Sequence, residues 1–268
     1  MEIKDYFNQT DISKLKLCNS DLQNRHTLLN TDKAYTHPDL RNYQLAIIGV
    51  PEQRNSPNKG TAKAPDKIRE QLYKLNYSGK AKIIDLGNII PGKSVKDTYA
   101  AITDITSMLL SDNVIPVFLG GSQDLTIAVF EAYSKLNRPV DLVCIDSKFD
   151  LGYKKDDFDS ESFIGQIILN KGKTLYNLTN LGYQVYYTNK DEQKLFNRLS
   201  FDSYRLGLIR GNMEDIETVM RDADMISIYI RELKQSDAPA HYKTSPNGFY
   251  LQEISQSSRY ENLSGEGS

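Results

Sequence analysis

The sequence has 268 residues, of which 39% are hydrophobic and 25% charged, an ordinary globular composition that allows a sizeable core in one large α/β domain or two small ones. A formal net charge of −2, from 33 basic and 35 acidic residues, excludes a global field that would draw the protein onto nucleic acid or an anionic membrane. Cys18 and Cys144 are too far apart in sequence to suggest a disulfide framework. No apolar run is long enough for a bilayer span, and the N-terminus lacks a signal-peptide core, so the expected location is the cytoplasm.

In chain order, residues 1–43 are polar and irregular up to Pro38, which reads as an arm or cap. Short β-branched runs then alternate with amphipathic segments. LAIIGV (45–50), KIIDLG (82–87), VIPVFLG (114–120), VDLVCID (140–146), YQVYYT (183–188), YRLGLI (204–209) and MISIYI (225–230) read as strands. Apolar residues recurring at three and four predict helices in APDKIREQLYKL, SVKDTYAAITDITSMLL, LTIAVFEAYSKL and NMEDIETVMRDA. Strands apolar on both faces and separated by helices predict a mainly parallel sheet covered on two sides, an α/β/α arrangement filling residues 44–260. Residues 261–268 read as a polar tail, and KKDDFD (154–159) as a solvated loop.

Sites in such sheets lie beyond the carboxyl ends of the strands. Those ends deliver GVPEQRNSPNKGTAKAPDKIREQL (49–72), GGSQDLT (120–126), DSKFDL (146–151) and SIYIRELKQSDAP (227–239) to one rim. Taken singly, each has an unremarkable explanation: Gly120 and Gly121 as a tight strand-to-helix turn, Asp146 as a turn or cap residue. Their recurrence at successive strand ends favours a site.

In order and spacing these segments resemble the ureohydrolase family of arginase, agmatinase and formimidoylglutamase. GVPE with APDKIREQL is similar to its GVP…GP.AIR pattern, GGSQDLT to GGDHS.T, DSKFDL to DAHTDL, and SIYIRELKQSDAP to SFDIDALDP…AP, with SPNGFYLQEI closing the likeness near residue 256. The resemblance implies a three-layer fold with a mainly parallel central sheet, lacking here the family's last strand and helices. It also implies a pair of manganese ions in active members, and homo-oligomers. Laid on the family's pattern, the first histidine ligand falls on Gln123 and the preceding aspartate on Ser122. Asp146 and Asp150 keep their aspartates, but the histidine between them is Lys148; two further aspartates fall on Tyr229 and Arg231, and a last histidine on Ile164.

The chemistry agrees with that tally. Two-metal hydrolysis needs several carboxylate or imidazole donors converging on both ions, and ammonium or guanidinium groups neither ligate nor tolerate a metal beside them. His26 and His37 fall in the arm and His241 in the loop PAHYKT, so none is expected with the aspartates at a strand end. Lys148 and Arg231 are expected to face Asp146 and Asp150, two side-chain cations in place of two metal ions. The expected protein is a degenerate family member without cofactor, binding an unidentified small molecule or protein. The alternative is a working manganese-dependent hydrolase of C–N bonds that keeps Asp146 and Asp150 as ligands. A third reading rests on GNIIPGKS (87–94), which matches a phosphate loop with Gly92, Lys93 and Ser94; Pro91 counts against it by removing one N–H of the cradle.

Overall fold

The computed structural model describes residues 3–8, 39–76, 79–152, 160–171, 174–241, 243 and 245–260. Most of the arm, with Cys18, His26 and His37, lies outside the described residues, as do the KKDDFD loop and the tail 261–268. The chain divides into two compact units, Met1–Leu136 and Asn137–Ser268.

The first unit holds strands β1 (Phe7–Asn8), β2 (Leu45–Gly49), β3 (Ile83–Ile89) and β4 (Ile115–Leu119) in the order β1-β3-β2-β4. Only β1 runs antiparallel, pairing Phe7 with Ile89, so the start of the expected arm is an edge strand instead of irregular chain. Helices α1 (Ala64–Leu72), α2 (Val95–Ser111) and α3 (Thr126–Lys135) follow β2, β3 and β4. Ala46, Ile48, Ile84 and Leu86 of the strands pack with Ile102, Ile105 and Leu109 of α2 in one core. Under α1 the sheet carries a charged fork: Arg69, fully buried, donates from Nε to Asp85 Oδ2 at 2.7 Å and from Nη2 to Asp85 Oδ1 at 2.8 Å. Gly49 is required beside it, since a Cβ there would lie 2.7 Å from Arg69 Nη1 and 1.8 Å from Asn88 Oδ1.

The second unit has β5 (Val140–Ile145), β6 (Leu175–Tyr183), β7 (Asp202–Arg205) and β8 (Met225–Ile228), all parallel, in the order β7-β6-β5-β8. Its helices are α4 (Phe163–Lys171), α5 (Lys190–Arg198), α6 (Leu206–Gly211), α7 (Glu214–Arg221) and α8 (Leu251–Tyr260). Val143, Ile145 and Leu181 meet Leu206, Ile209, Ile216, Met220, Phe249 and Ile254 in its core. Cys144 is a buried free thiol on β5, as its apolar surroundings predict.

Two predicted strands need correction. YQVYYT is not a strand: β6 ends at Tyr183, and Val185, Tyr186 and Tyr187 are exposed beyond it. The true strand, LYNLTNLGY, is obscured in sequence by Asn177, Thr179 and Asn180. In YRLGLI only the first two residues are extended, and Leu206 opens α6. No helix among the described residues is long and apolar enough to cross a membrane.

Candidate functional site

The pairing of β5 with β8 builds the site. Parallel register sets Ile145 beside Ile228, and Tyr229 N–H donates to Ile145 O at 3.3 Å, so the residues after both strands leave the sheet together. Asp146 follows at once, anchored by its N–H to Leu181 O at 3.1 Å. Its Oδ1 accepts the Lys148 N–H at 2.9 Å, closing a turn that Asn180 on β6 supports by donating to Lys148 O at 2.8 Å. From the β8 side a short 3-10 helix, Ile230–Glu232, points Arg231 back at this turn.

Arg231 is the centre of the cluster, with 5% of its side chain exposed. Nη2 donates to Asp146 Oδ1 at 2.9 Å and Oδ2 at 3.2 Å, and lies 3.7 Å from Asp150 Oδ1. Nη1 donates to Glu161 Oε1 at 3.0 Å, and Nε lies 3.4 Å from Glu232 Oε1. The Tyr229 ring covers the guanidinium at 4.4 Å. Asp146, Lys148, Asp150, Tyr229 and Arg231 are therefore brought together, but with different partners from those expected. Lys148 Nζ does not face the aspartates; it pairs with Glu161 Oε2 at 3.0 Å, and Lys243 Nζ reaches Glu161 Oε1 at 2.7 Å. His241 also departs from expectation, since its ring meets Tyr229 edge-on at 5.5 Å, beside the end of β8.

Burial and charge divide the carboxyl groups into two kinds. Burial pushes the Asp150 carboxyl well above the usual range, and the Asp146 charge adds to it beyond what Arg231 offsets. Among the described residues neither Asp150 oxygen has a hydrogen-bond donor. Burial and Asp146 likewise push Glu232 up to about 8, although Ser147 Oγ donates to its Oε1 at 2.9 Å. For Glu161 burial acts upward too, but the hydrogen bonds from Lys243 and Lys148 and the charges of Lys148 and Arg231 bring it down to about 2. Burial alone would lower the proton affinity of Arg231, yet Asp146, Asp150 and Glu232 raise it above its ordinary value.

Glu161, Lys243, Glu232 and Ser147 were not singled out in the sequence. Ser147 and Glu232 directly neighbour Asp146 and Arg231, and Glu161 lies in SESFIGQII, the stretch aligned with the family's histidine loop; position in those motifs was the available signal. Ile164 in that stretch is buried and apolar, and its N–H donates to Asp150 O at 3.2 Å.

The donor set does not fit the divalent pair that the resemblance implies. Arg231 offers no lone pair, carries charge of the metal's own sign, and takes both oxygens of Asp146. Among the described residues no group of three or more His, Cys, Asp or Glu side chains is arranged to hold an ion.

The remaining sequence candidates lie in the first unit. Gln123 opens a short 3-10 helix, Gln123–Leu125, after a turn in which Gly120 and Gly121 have φ of +75° and +84°. Beside it, buried Asp124 accepts from Asn55 Nδ2 at 3.1 Å and from the hydroxyls of Tyr99 and Ser122. In GNIIPGKS, Gly92 N–H donates to Thr98 Oγ1 at 3.2 Å and Ser94 N–H to Asp97 Oδ2 at 2.8 Å. Ser94 is the N-cap of α2, and the carbonyls of Gly92 and Lys93 accept from Arg54. Donors that a phosphate cradle requires are thus engaged within the chain.

The fold and the strand-end residues define a ureohydrolase-type α/β protein, and the comparisons make the class specific. The chain belongs to the arginase family, whose model matches residues 43–263. It is similar to the mitochondrial guanidino acid hydrolase of Mus musculus, 32% identical over 109 residues, a match covering 37% of this chain and 30% of that protein. It is 25% identical over 241 residues to the formimidoylglutamase of Bacillus subtilis (strain 168), covering 80% of this chain and 74% of the relative. Among solved structures, Trypanosoma cruzi formiminoglutamase with manganese aligns with a TM-score of 0.71 at 18% identity, over 81% of this chain and 80% of that one. The arginase-like fold is common to them.

Proposed function

We propose that this chain is an arginase-family protein whose hydrolase centre has given way to a charge cluster, and that it acts by binding, as a regulatory or scaffolding member of its family. The observation that carries this reading is the seat of the Arg231 guanidinium on both oxygens of Asp146. Hydrolysis of a C–N bond by this family's route needs a metal-activated hydroxide, and a buried arginine at the carboxylate opposes the ion electrostatically. The test is metal content after manganese incubation and desalting, paired with melting curves with and without manganese. A ligand that binds only the folded state raises the midpoint, by an amount that grows with the logarithm of its free concentration over its dissociation constant. No retained metal and an unmoved midpoint are expected; near-stoichiometric manganese with a raised midpoint would overturn the reading.

The second reading is a manganese-dependent hydrolase of guanidino or formimino substrates. It is favoured by the retention of Asp146 and Asp150, both buried at the end of β5. That version requires Arg231 to swing away on metal binding. It predicts release of urea or formamide that is lost in Asp146→Ala.

A further inference from the structure

We propose that Lys148, Arg231 and Lys243 form a binding cradle for a small carboxylate ligand, and that the Glu161 side chain is the internal carboxylate which that ligand displaces. The inference rests on the metal-free reading of the cluster and assigns the class of ligand it takes.

Three cationic side chains from separate segments converge on one carboxylate. Lys148 comes from the turn after β5, Arg231 from the 3-10 helix after β8, and Lys243 from the loop beyond it. They contact Glu161 at 3.0, 3.0 and 2.7 Å. The contacts divide over both oxygens: Oε1 takes Arg231 Nη1 and Lys243 Nζ, and Oε2 takes Lys148 Nζ. This arrangement suits a planar two-oxygen anion. Arg231, the deepest of the three, is fixed independently of Glu161, with Nη2 on Asp146 and the Tyr229 ring over its face. The other two cations remain reachable from water, since side-chain exposure is 28% at Lys148 and 51% at Lys243. A ligand carboxylate therefore meets a site whose deepest donor is already oriented, which lowers the ordering cost of binding.

Among the described residues all three cations pair with Glu161, and Arg231 pairs also with Asp146. Glu161 itself lies in the turn immediately before α4 begins at Phe163, outside the helix, so its side chain can rotate out without breaking a regular element. When it leaves, the three cations lose the carboxylate they share, and an incoming carboxylate can take its place.

The test uses the full chain, treated with chelator, at low ionic strength. Succinate and inorganic sulfate are the probes, and binding is read by titration calorimetry. Glu161→Gln keeps the shape of the side chain and removes the internal competitor, so succinate is expected to bind at least tenfold more tightly than to the wild type. Adding Lys243→Ala to that variant is expected to reverse the gain at least tenfold. Succinate affinity unchanged by Glu161→Gln overturns the inference. So does a gain that survives Lys243→Ala, or sulfate binding as tightly as succinate in every variant, which would mark diffuse surface charge. Should Glu161→Gln fail to fold, the rise in wild-type melting midpoint with succinate supplies the readout: its loss in Lys243→Ala supports the cradle, and an equal rise in both proteins overturns it. Manganese content measured on separate samples keeps the two readings apart, because retained metal defeats the metal-free reading whatever chelated protein does with succinate.

Discussion

Arg231 and Lys148 each bring one positive charge to the cluster, but only Arg231 is withdrawn from water, with 5% of its side chain exposed against 28% for Lys148. Replacing Arg231 with Met removes the counter-charge of Asp146, itself 2% exposed, and leaves a buried carboxylate unpaired. Such a loss costs about 3–5 kcal/mol. Lys148→Ala removes a half-screened partner of Glu161, which Lys243 and Arg231 still hold, so its cost is expected at about 1 kcal/mol or less. Denaturant midpoints of the two variants test the order directly, and equal losses would mean that burial does not set their weights. The sequence displayed the ingredients of this site, with Asp146, Lys148 and Asp150 in one short run, but not the pairing. Spacing reports which side chains share a face in helices and strands, where the backbone repeats. Lys148 sits in an irregular turn, and where its ammonium points depends on Glu161, thirteen residues further along the sequence.

At the scale of elements, α4 owes its position to a glycine. A Cβ at Gly165 would lie 1.9 Å from Leu151 O, a backbone atom that cannot swing aside. Alanine in a helix gains about 1 kcal/mol over glycine in intrinsic propensity. Overpacking against fixed structure costs about 1–3 kcal/mol, so the clash should dominate and Gly165→Ala should lower stability. Gly207 in α6 provides the contrast, because nothing lies within 4 Å of the position a methyl group would take there. Gly207→Ala is expected to stabilise by up to about 1 kcal/mol, and thermal unfolding of both variants should show opposite signs. A gain at Gly165 would mean that α4 is not seated against residues 150–151. The strands and helices that sequence located well, such as β2, β5 and α2, have unbroken apolar runs or a Ser94–Asp97 capping box to mark them. β6 was misplaced because its inner positions include Thr179 and Asn180, each 2% exposed, polar residues that a pattern of apolar alternation does not count as core. YQVYYT drew the assignment instead, since β-branched and aromatic residues signal a strand whether or not a neighbour is there to pair with them.

Across the whole molecule, the cluster ties folding stability to pH in two opposite directions. Glu161 has its pKa lowered from 4.5 to about 2, so the folded state gives up this proton more readily than the unfolded chain. Its contribution is present above pH 4.5 and is lost as pH falls through about 2. Glu232 has its pKa raised from 4.5 to about 8, so between those values the folded state keeps a proton that the unfolded chain has released. That contribution is complete below pH 4.5 and is lost as pH rises through about 8. Asp150, also raised, acts in the same sense. The cluster therefore stabilises the fold most near the ordinary carboxyl range and progressively less toward neutral and alkaline pH. Glu232→Gln substitutes a permanently neutral group that can still accept the Ser147 hydroxyl, now 2.9 Å from Oε1. The variant should show a shallower fall in unfolding free energy than the wild type as pH rises from about 5 to about 8, the window between the two protonation ranges of Glu232. Parallel pH profiles for the two proteins would mean that Glu232 is ionised in the fold at neutral pH.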